Sequence, residues 1–316
     1  MIQALSPIYL DIIPRENAVH WTVLLYLEMF VAGIAAGAYV MAAFFELAGR
    51  GRSPVVRTAH LIAFPLMAIA GILLIVDLEH PERFWHMVVQ SLRQVPMLKW
   101  WSPMSAGSWA VLVFPAFAFV SFVDALIAGG LFSIGGWRRD RTLHGTTLGL
   151  IWSFLGGLVA FFVASYSGVL LNVTNFAGWS NSALPLAGAL FLATAAVTGV
   201  AAVVLIEAIR GATNRADVQA LVQAGTPLIL WQLLLLILFV FFSGQTASGL
   251  PVYLTGLRVP LSMLAAAILG GVLPLVLLRM RGAARPGMAA LVAVLVLVGG
   301  LMVRYGVVMG PQVGMG

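Results

Sequence analysis

The chain has 316 residues, 61% of them hydrophobic and 9% charged, with a formal net charge of +6. Soluble domains average about 45–50% apolar and about 25% charged residues, so this composition excludes a soluble globular protein and calls for an integral membrane protein. The basic residues are scattered between apolar runs, which argues against a nucleic-acid face. The absence of cysteine removes disulfides, thiolate chemistry, covalently attached haem and the usual iron–sulfur ligands.

Residues 1–20 lack the basic start and apolar core of a cleaved signal peptide, so the first span is expected to direct insertion itself. A span needs about 20 apolar residues to cross about 30 Å of hydrocarbon. Eight runs meet that need, which predicts an all-α polytopic protein with spans at 21–46, 57–78, 104–128, 146–171, 185–209, 227–244, 259–278 and 288–309. Gly37 to Glu46 in the first span is similar to Gly199 to Glu207 in the fifth. That likeness predicts a parallel repeat of two four-helix bundles, residues 1–171 and 172–316, within one membrane domain. Gly33, Ala36, Gly37, Gly156, Gly157 and Gly199 permit close helix contact.

Orientation follows from Lys and Arg, which favour cytoplasmic loops. Four connections carry Arg50, Arg52, Arg57, Arg138, Arg139, Arg141, Arg210, Arg215, Arg279, Arg281 and Arg285, eleven in all. The other side carries Arg15, Arg83, Arg93, Lys99 and Arg258, and Arg304 lies within the last span. Both termini are therefore expected outside. The nine Trp, with Trp179 near the outer face and Trp137 near the inner one, fit an aromatic belt and need no chemistry.

The segment Asp77-Leu78-Glu79-His80-Pro81-Glu82-Arg83-Phe84-Trp85-His86 holds six ionisable side chains directly after a run, Leu61–Val76, that has none. A loop leaving the headgroup region accounts for some of that. The crowding also suits a titratable floor under a site sunk into the outer face. The connection 79–103 is expected to form a short surface helix that ends at Pro96, with Pro103 before the third span.

Ionisable groups in hydrocarbon are costly, so their depth is informative. Glu28, Asp77 and Arg304 fall at similar depth in the outer leaflet, which predicts that Arg304 pairs with Asp77 or Glu28. Glu46, Asp124 and Glu207 lie near the cytoplasmic ends, where interfacial acids beside loop arginines are ordinary. They are also candidates for the inner half of a proton path. His20, His80 and His86 sit at the outer boundary, and only His60 with His144, at the inner one, offers a pair for a b-type haem. The chain is expected to be colourless and free of iron. Asn17 and His20 share a face if the first helix starts early. Tyr166 near the outer end of span four is a belt tyrosine by position alone, although Gly168 beside it leaves room for a flat ligand.

These pieces together resemble the NrfD/PsrC family, the membrane subunit of polysulfide reductase and its relatives. The resemblance rests on Asn17 with His20-Trp21, the run Gly33-Ile34-Ala35-Ala36-Gly37-Ala38, and Asp77-Leu78 with Pro81 and Arg83-Phe84-Trp85. It continues through Tyr166-Ser167-Gly168-Val169-Leu170-Leu171 and Arg304-Tyr305 with Gly310 and Gln312. It implies eight spans in a bacterial cytoplasmic membrane and a quinone, menaquinone or ubiquinone, bound near the outer face. It also implies a chain without haem or an iron–sulfur cluster. Electrons would pass between the quinone and a four-cluster, ferredoxin-like iron–sulfur subunit docked outside, and a molybdopterin enzyme or multihaem cytochrome would complete the complex. The resemblance matches the quinone-binding residues to Asn17, His20 and Tyr166. A role for Glu28 rests on depth alone.

The chemistry agrees, because a quinol gives up two protons with two electrons. Histidine accepts protons near neutral pH, and Asn and Tyr position a ring. Asp77, His80 and Arg83 would then lead protons outward. A solute or ion transporter is the rival reading, although transporters bind near the midplane and this polar cluster is shallow and one-sided. A purely structural anchor leaves the cluster unexplained.

Overall fold

The computed structural model describes residues 22–78, 80–90, 94–173, 179, 186–212, 216–242, 252–254, 257–280, 282 and 285–313. Among them are eight helices long and apolar enough to cross a membrane. They are α1 (Val23–Leu47), α2 (Pro54–Val76), α3 (Pro103–Ala128), α4 (Thr147–Asn172), α5 (Leu186–Ile209), α6 (Ala216–Phe242), α7 (Arg258–Leu278) and α8 (Pro286–Val313). Local chemistry sets their starts. Thr22, Ser53 and Thr146 cap α1, α2 and α4 through their hydroxyls, and α2 and α3 open on a proline that lacks a donor to waste.

α1 and α5 are the two most buried spans and cross at the centre. Glycine sets that crossing. A Cβ on Gly37 would stand 1.9 Å from the Ala195 carbonyl oxygen, and one on Gly199 would stand 2.3 Å from the Ala38 nitrogen. The two similar segments thus pack on each other, as small-residue contacts in membranes allow. α1 also packs on α2 and α4, and α5 on α4, α6 and α8. Gly270 of α7 meets Gly299 of α8 in the same way, beside a π turn at Ile268–Val272.

Alternation of the spans gathers the starts of α1, α3, α5 and α7 with the ends of α2, α4, α6 and α8 at one end of the bundle, here the Asp77 end. The arginine-rich connections lie at the other. Two expectations change. α6 begins at Ala216 rather than at 227, because its first turns are amphipathic: Val218 and Leu221 are buried while Asp217 binds Arg50 and Ser53. Apolar length alone misses such turns, and Pro227 lies inside the helix. Among the described residues of the connection after Asp77, helix is confined to the 3-10 turn Pro81–Met87, and Val89–Gln90 then pairs antiparallel with Val95–Pro96 (β1 and β2). β-branched valines and a left-handed Gln94, at φ 50°, favour this small hairpin over a continued helix.

Candidate functional site

At the Asp77 end, α1 to α4 splay around a cavity of about 350 Å³. Its wall is almost wholly apolar, from Leu25, Met29, Leu74, Ile75, Val111 and Leu170 among others. Among the described residues four polar side chains interrupt it: Glu28 from α1, Ser108 from α3, and Tyr166 and Ser167 from α4. Phe84 and Met87 of the 3-10 turn, with Val88, cover one side. A mostly apolar cavity with a few polar groups in its wall suits a flat, lipophilic ligand that carries hydrogen-bonding oxygens.

Glu28 is only 8% exposed, yet no hydrogen bond to its carboxylate is seen among the described residues. It lies within Coulombic reach of Arg304, Asp77 and Tyr166. Tyr166 is seated by a glycine on the neighbouring helix. A Cβ on Gly107 would fall 1.8 Å from its ring, so the phenol can lean across α3 only because residue 107 has no side chain. Gly168 has a different task from the one expected. A Cβ there would strike the Ala187 carbonyl at 2.3 Å, so this glycine admits α5 rather than a ligand.

Asp77 caps the end of α2 and accepts a hydrogen bond from the Thr22 hydroxyl, which ties the start of α1 to the end of α2. His80 and Arg83 stand at the surface, each facing Glu82, at 3.3 and 3.7 Å. They are not part of the cavity wall. Asn17 and His20 fall outside the described residues.

The expected ion pair of Arg304 with Asp77 or Glu28 is not formed at contact distance. Arg304, 1% exposed, donates from Nη2 to the Phe191 carbonyl at 3.0 Å and lies 3.6 Å above the Phe191 ring. A carbonyl and an aromatic face thus receive the charge, as cation–π contacts do in dry surroundings. Gly33 clears the space, since a Cβ there would sit 3.0 Å from Nη2. Trp179 also departs from the belt: it is 2% exposed and donates from Nε1 to the Val307 carbonyl.

At the arginine end the three acids occupy two places. Asp124 accepts from the Trp137 indole at 2.6 Å and from the Leu143 and His144 amides, and so pins the connection between α3 and α4. Glu46 accepts from the Gly145 amide at 2.7 Å and meets His144 Nδ1 at 2.8 Å. Glu207, further along, accepts from Thr58 at 2.6 Å and from Arg210. The rings of His60 and His144 stack face to face at 4.2 Å, which leaves no gap between them for a macrocycle.

What this architecture defines is a polytopic helical membrane protein with a one-sided, acid-bearing apolar cavity. The family model for polysulphide reductase, NrfD, matches residues 12–315, and the chain belongs to that family. Its members are membrane subunits of quinone-linked oxidoreductases that associate with iron–sulfur and catalytic subunits. A search of curated proteins found no match to the chain.

Residue-level reading of the sequence missed Gly107, Ser108 and the cover from Phe84 and Met87. A helical spacing between Met104, Ser108, Val111 and Leu112 was the available signal for a polar position on an otherwise apolar face.

Proposed function

We propose that the chain is the quinol-binding subunit of a respiratory complex, exchanging electrons between membrane quinone and an iron–sulfur subunit docked on the Asp77 end. The observation that carries this reading is the α1–α4 cavity, whose apolar wall suits a prenylated ring and whose lining includes the polar side chains of Glu28, Ser108, Tyr166 and Ser167. Either menaquinone or ubiquinone supplies the redox chemistry when bound, and this chain supplies position and proton transfer. Tyr166 and Asn17 hold the ring oxygens, while His20 and Glu28 exchange protons with them. The hydrogen bond from the Thr22 hydroxyl ties Asp77, at the end of α2, to the start of α1. Asp77, His80 and Arg83 then hand protons to water. Glu46, Asp124 and Glu207 are candidates for the inner half of a proton path.

We assign residues 1–171 and 172–316 to two four-helix halves joined along α1 and α5, with the quinone in the first half. The Asp77 end faces outward in a bacterial cytoplasmic membrane, on the eleven-to-five distribution of Lys and Arg. The catalytic partner is a molybdopterin enzyme or multihaem cytochrome. Because the chain contains no native cysteine, single cysteines introduced at Leu98 and Asp140 test the orientation with an impermeant thiol reagent. The position 98 variant is expected to label from outside and the position 140 variant only after lysis. The opposite pattern inverts the topology.

The site is tested in the assembled complex. His20→Ala is expected to abolish quinol-dependent turnover while activity with an artificial donor survives. Tyr166→Phe, which loses one hydrogen bond, is expected to raise the quinol KM by about tenfold with little change in kcat, in line with about 1.5 kcal/mol for such a bond. Wild-type quinol kinetics in both variants would remove the site from this cavity.

A further inference from the structure

A second polar cluster lies at the arginine end, far along α1 and α2 from Glu28. A cavity of about 270 Å³ opens there, lined by His60, His144 and Asp124 with Arg52, Arg57 and Arg139 at its rim. Both ring nitrogens of His60, and Nε2 of His144, are buried without a hydrogen-bond partner among the described residues. His60 is 1% exposed and His144 5%. The described residues offer the ring nitrogens of His60 no partner, so any group that satisfies them must reach them through the cavity. The groups around it show the contrast: Tyr39 and Ser121 satisfy each other at 3.1 Å, and Asp124 is filled by three donors.

We propose that Glu46, His60 and His144 form a binding site for a divalent transition-metal ion of the Zn²⁺ class. One ligand atom from each lies within 4.8 Å of the other two. The Glu46–His144 contact of 2.8 Å is near the separation of about 3.3 Å between neighbouring ligands in a tetrahedron with bonds of about 2.0–2.1 Å. His60 closes the remaining distance by turning out of its stack on His144. The ion takes the place of the hydrogen between Glu46 and His144 Nδ1, and a neutral His144 keeps its one ring proton on Nε2. Two imidazoles and one carboxylate suit Zn²⁺, Co²⁺ or Ni²⁺ rather than Mg²⁺ or Ca²⁺. Ser153, which donates to Glu46 at 3.3 Å, and the Gly145 amide hold the carboxylate in place, as outer partners of metal ligands do. Three protein ligands leave a fourth position open to the cavity, the arrangement of exchangeable rather than structural sites. The rim guanidiniums are exposed, and salt screens them. This inference does not rest on the quinone reading.

Co²⁺ is the probe, added to the full chain purified in detergent through a tag free of histidine. The absence of cysteine means that only imidazole and oxygen ligands compete. The wild type is expected to take up one equivalent with the intense visible bands of four-coordinate Co²⁺. His60→Ala and His144→Ala should lose at least tenfold in affinity, with monodispersity on gel filtration as the folding control. His86→Ala, at the opposite end, should keep it. Wild-type protein without such bands, or bands retained in His60→Ala, would overturn the site. X-ray absorption of the Zn²⁺-loaded wild type decides independently of any variant: two imidazoles and a carboxylate at about 2.0–2.2 Å support the site, and a shell of water oxygens alone refutes it.

Discussion

Glu28→Gln is expected to lower quinol-dependent turnover by about 10²–10⁴-fold, the range for loss of a positioned acid–base group. Glu28 is the one carboxyl in the cavity wall among the described residues; the other polar groups described there are two alcohols and a phenol, which give up protons far less readily. Glutamine keeps the size and the hydrogen-bonding capacity, so the ligand should still bind and KM should change little. Activity with an artificial donor that bypasses the quinone should stay at the wild-type level, which separates a lost proton step from lost assembly. A kcat within threefold of wild type would assign proton transfer to His20 alone and leave Glu28 as a passive neighbour of Arg304.

Gly37→Leu is expected to disrupt the fold itself. The side chain would have to displace the Ala195 carbonyl, 1.9 Å from the site of its first carbon, and so separate the two central helices. Overpacking costs about 1–3 kcal/mol where neighbours are side chains that can yield. Here the neighbour is backbone, so about 3 kcal/mol is a lower bound, seen as a large drop in melting temperature or as aggregation in detergent. Gly71→Leu makes the informative contrast. No atom lies within 4 Å of a Cβ at that position, because Gly71 faces the α1–α4 cavity. That variant should melt at or above the wild-type temperature, since leucine favours helix over glycine by up to about 1 kcal/mol, yet should raise the quinol KM by filling the cavity. Equal melting of Gly37→Leu and wild type would show that the central crossing tolerates far more separation than its geometry implies.

Apolar runs made the spans legible, and seven of the eight starts lie within a few residues of the helices observed. The eighth, α6, was hidden because its first turns are half polar, and their partners Arg50 and Ser53 lie in a connection more than a hundred residues earlier. Depth in the membrane brought Glu28 and Asp77 to one end correctly, since rise per residue is fixed in a helix. Depth says nothing about azimuth, however. Arg304 shares their level yet turns toward Phe191, and Gly168 turns toward α5. The stacked pair of His60 and His144 shows the same limit: their shared level was readable, but the contact with Glu46 depends on how α1, α2 and α4 are rotated.

The central claim is that the α1–α4 cavity takes the quinone head. Photolabelling of the purified complex with an azido-quinone, followed by peptide mapping, tests it most directly. Adducts are expected on cavity-lining residues such as Glu28, Met104, Ser108 or Tyr166, suppressed by excess unlabelled quinone and by Gly71→Leu. Competable adducts confined to α5–α8 or to the arginine end would contradict it.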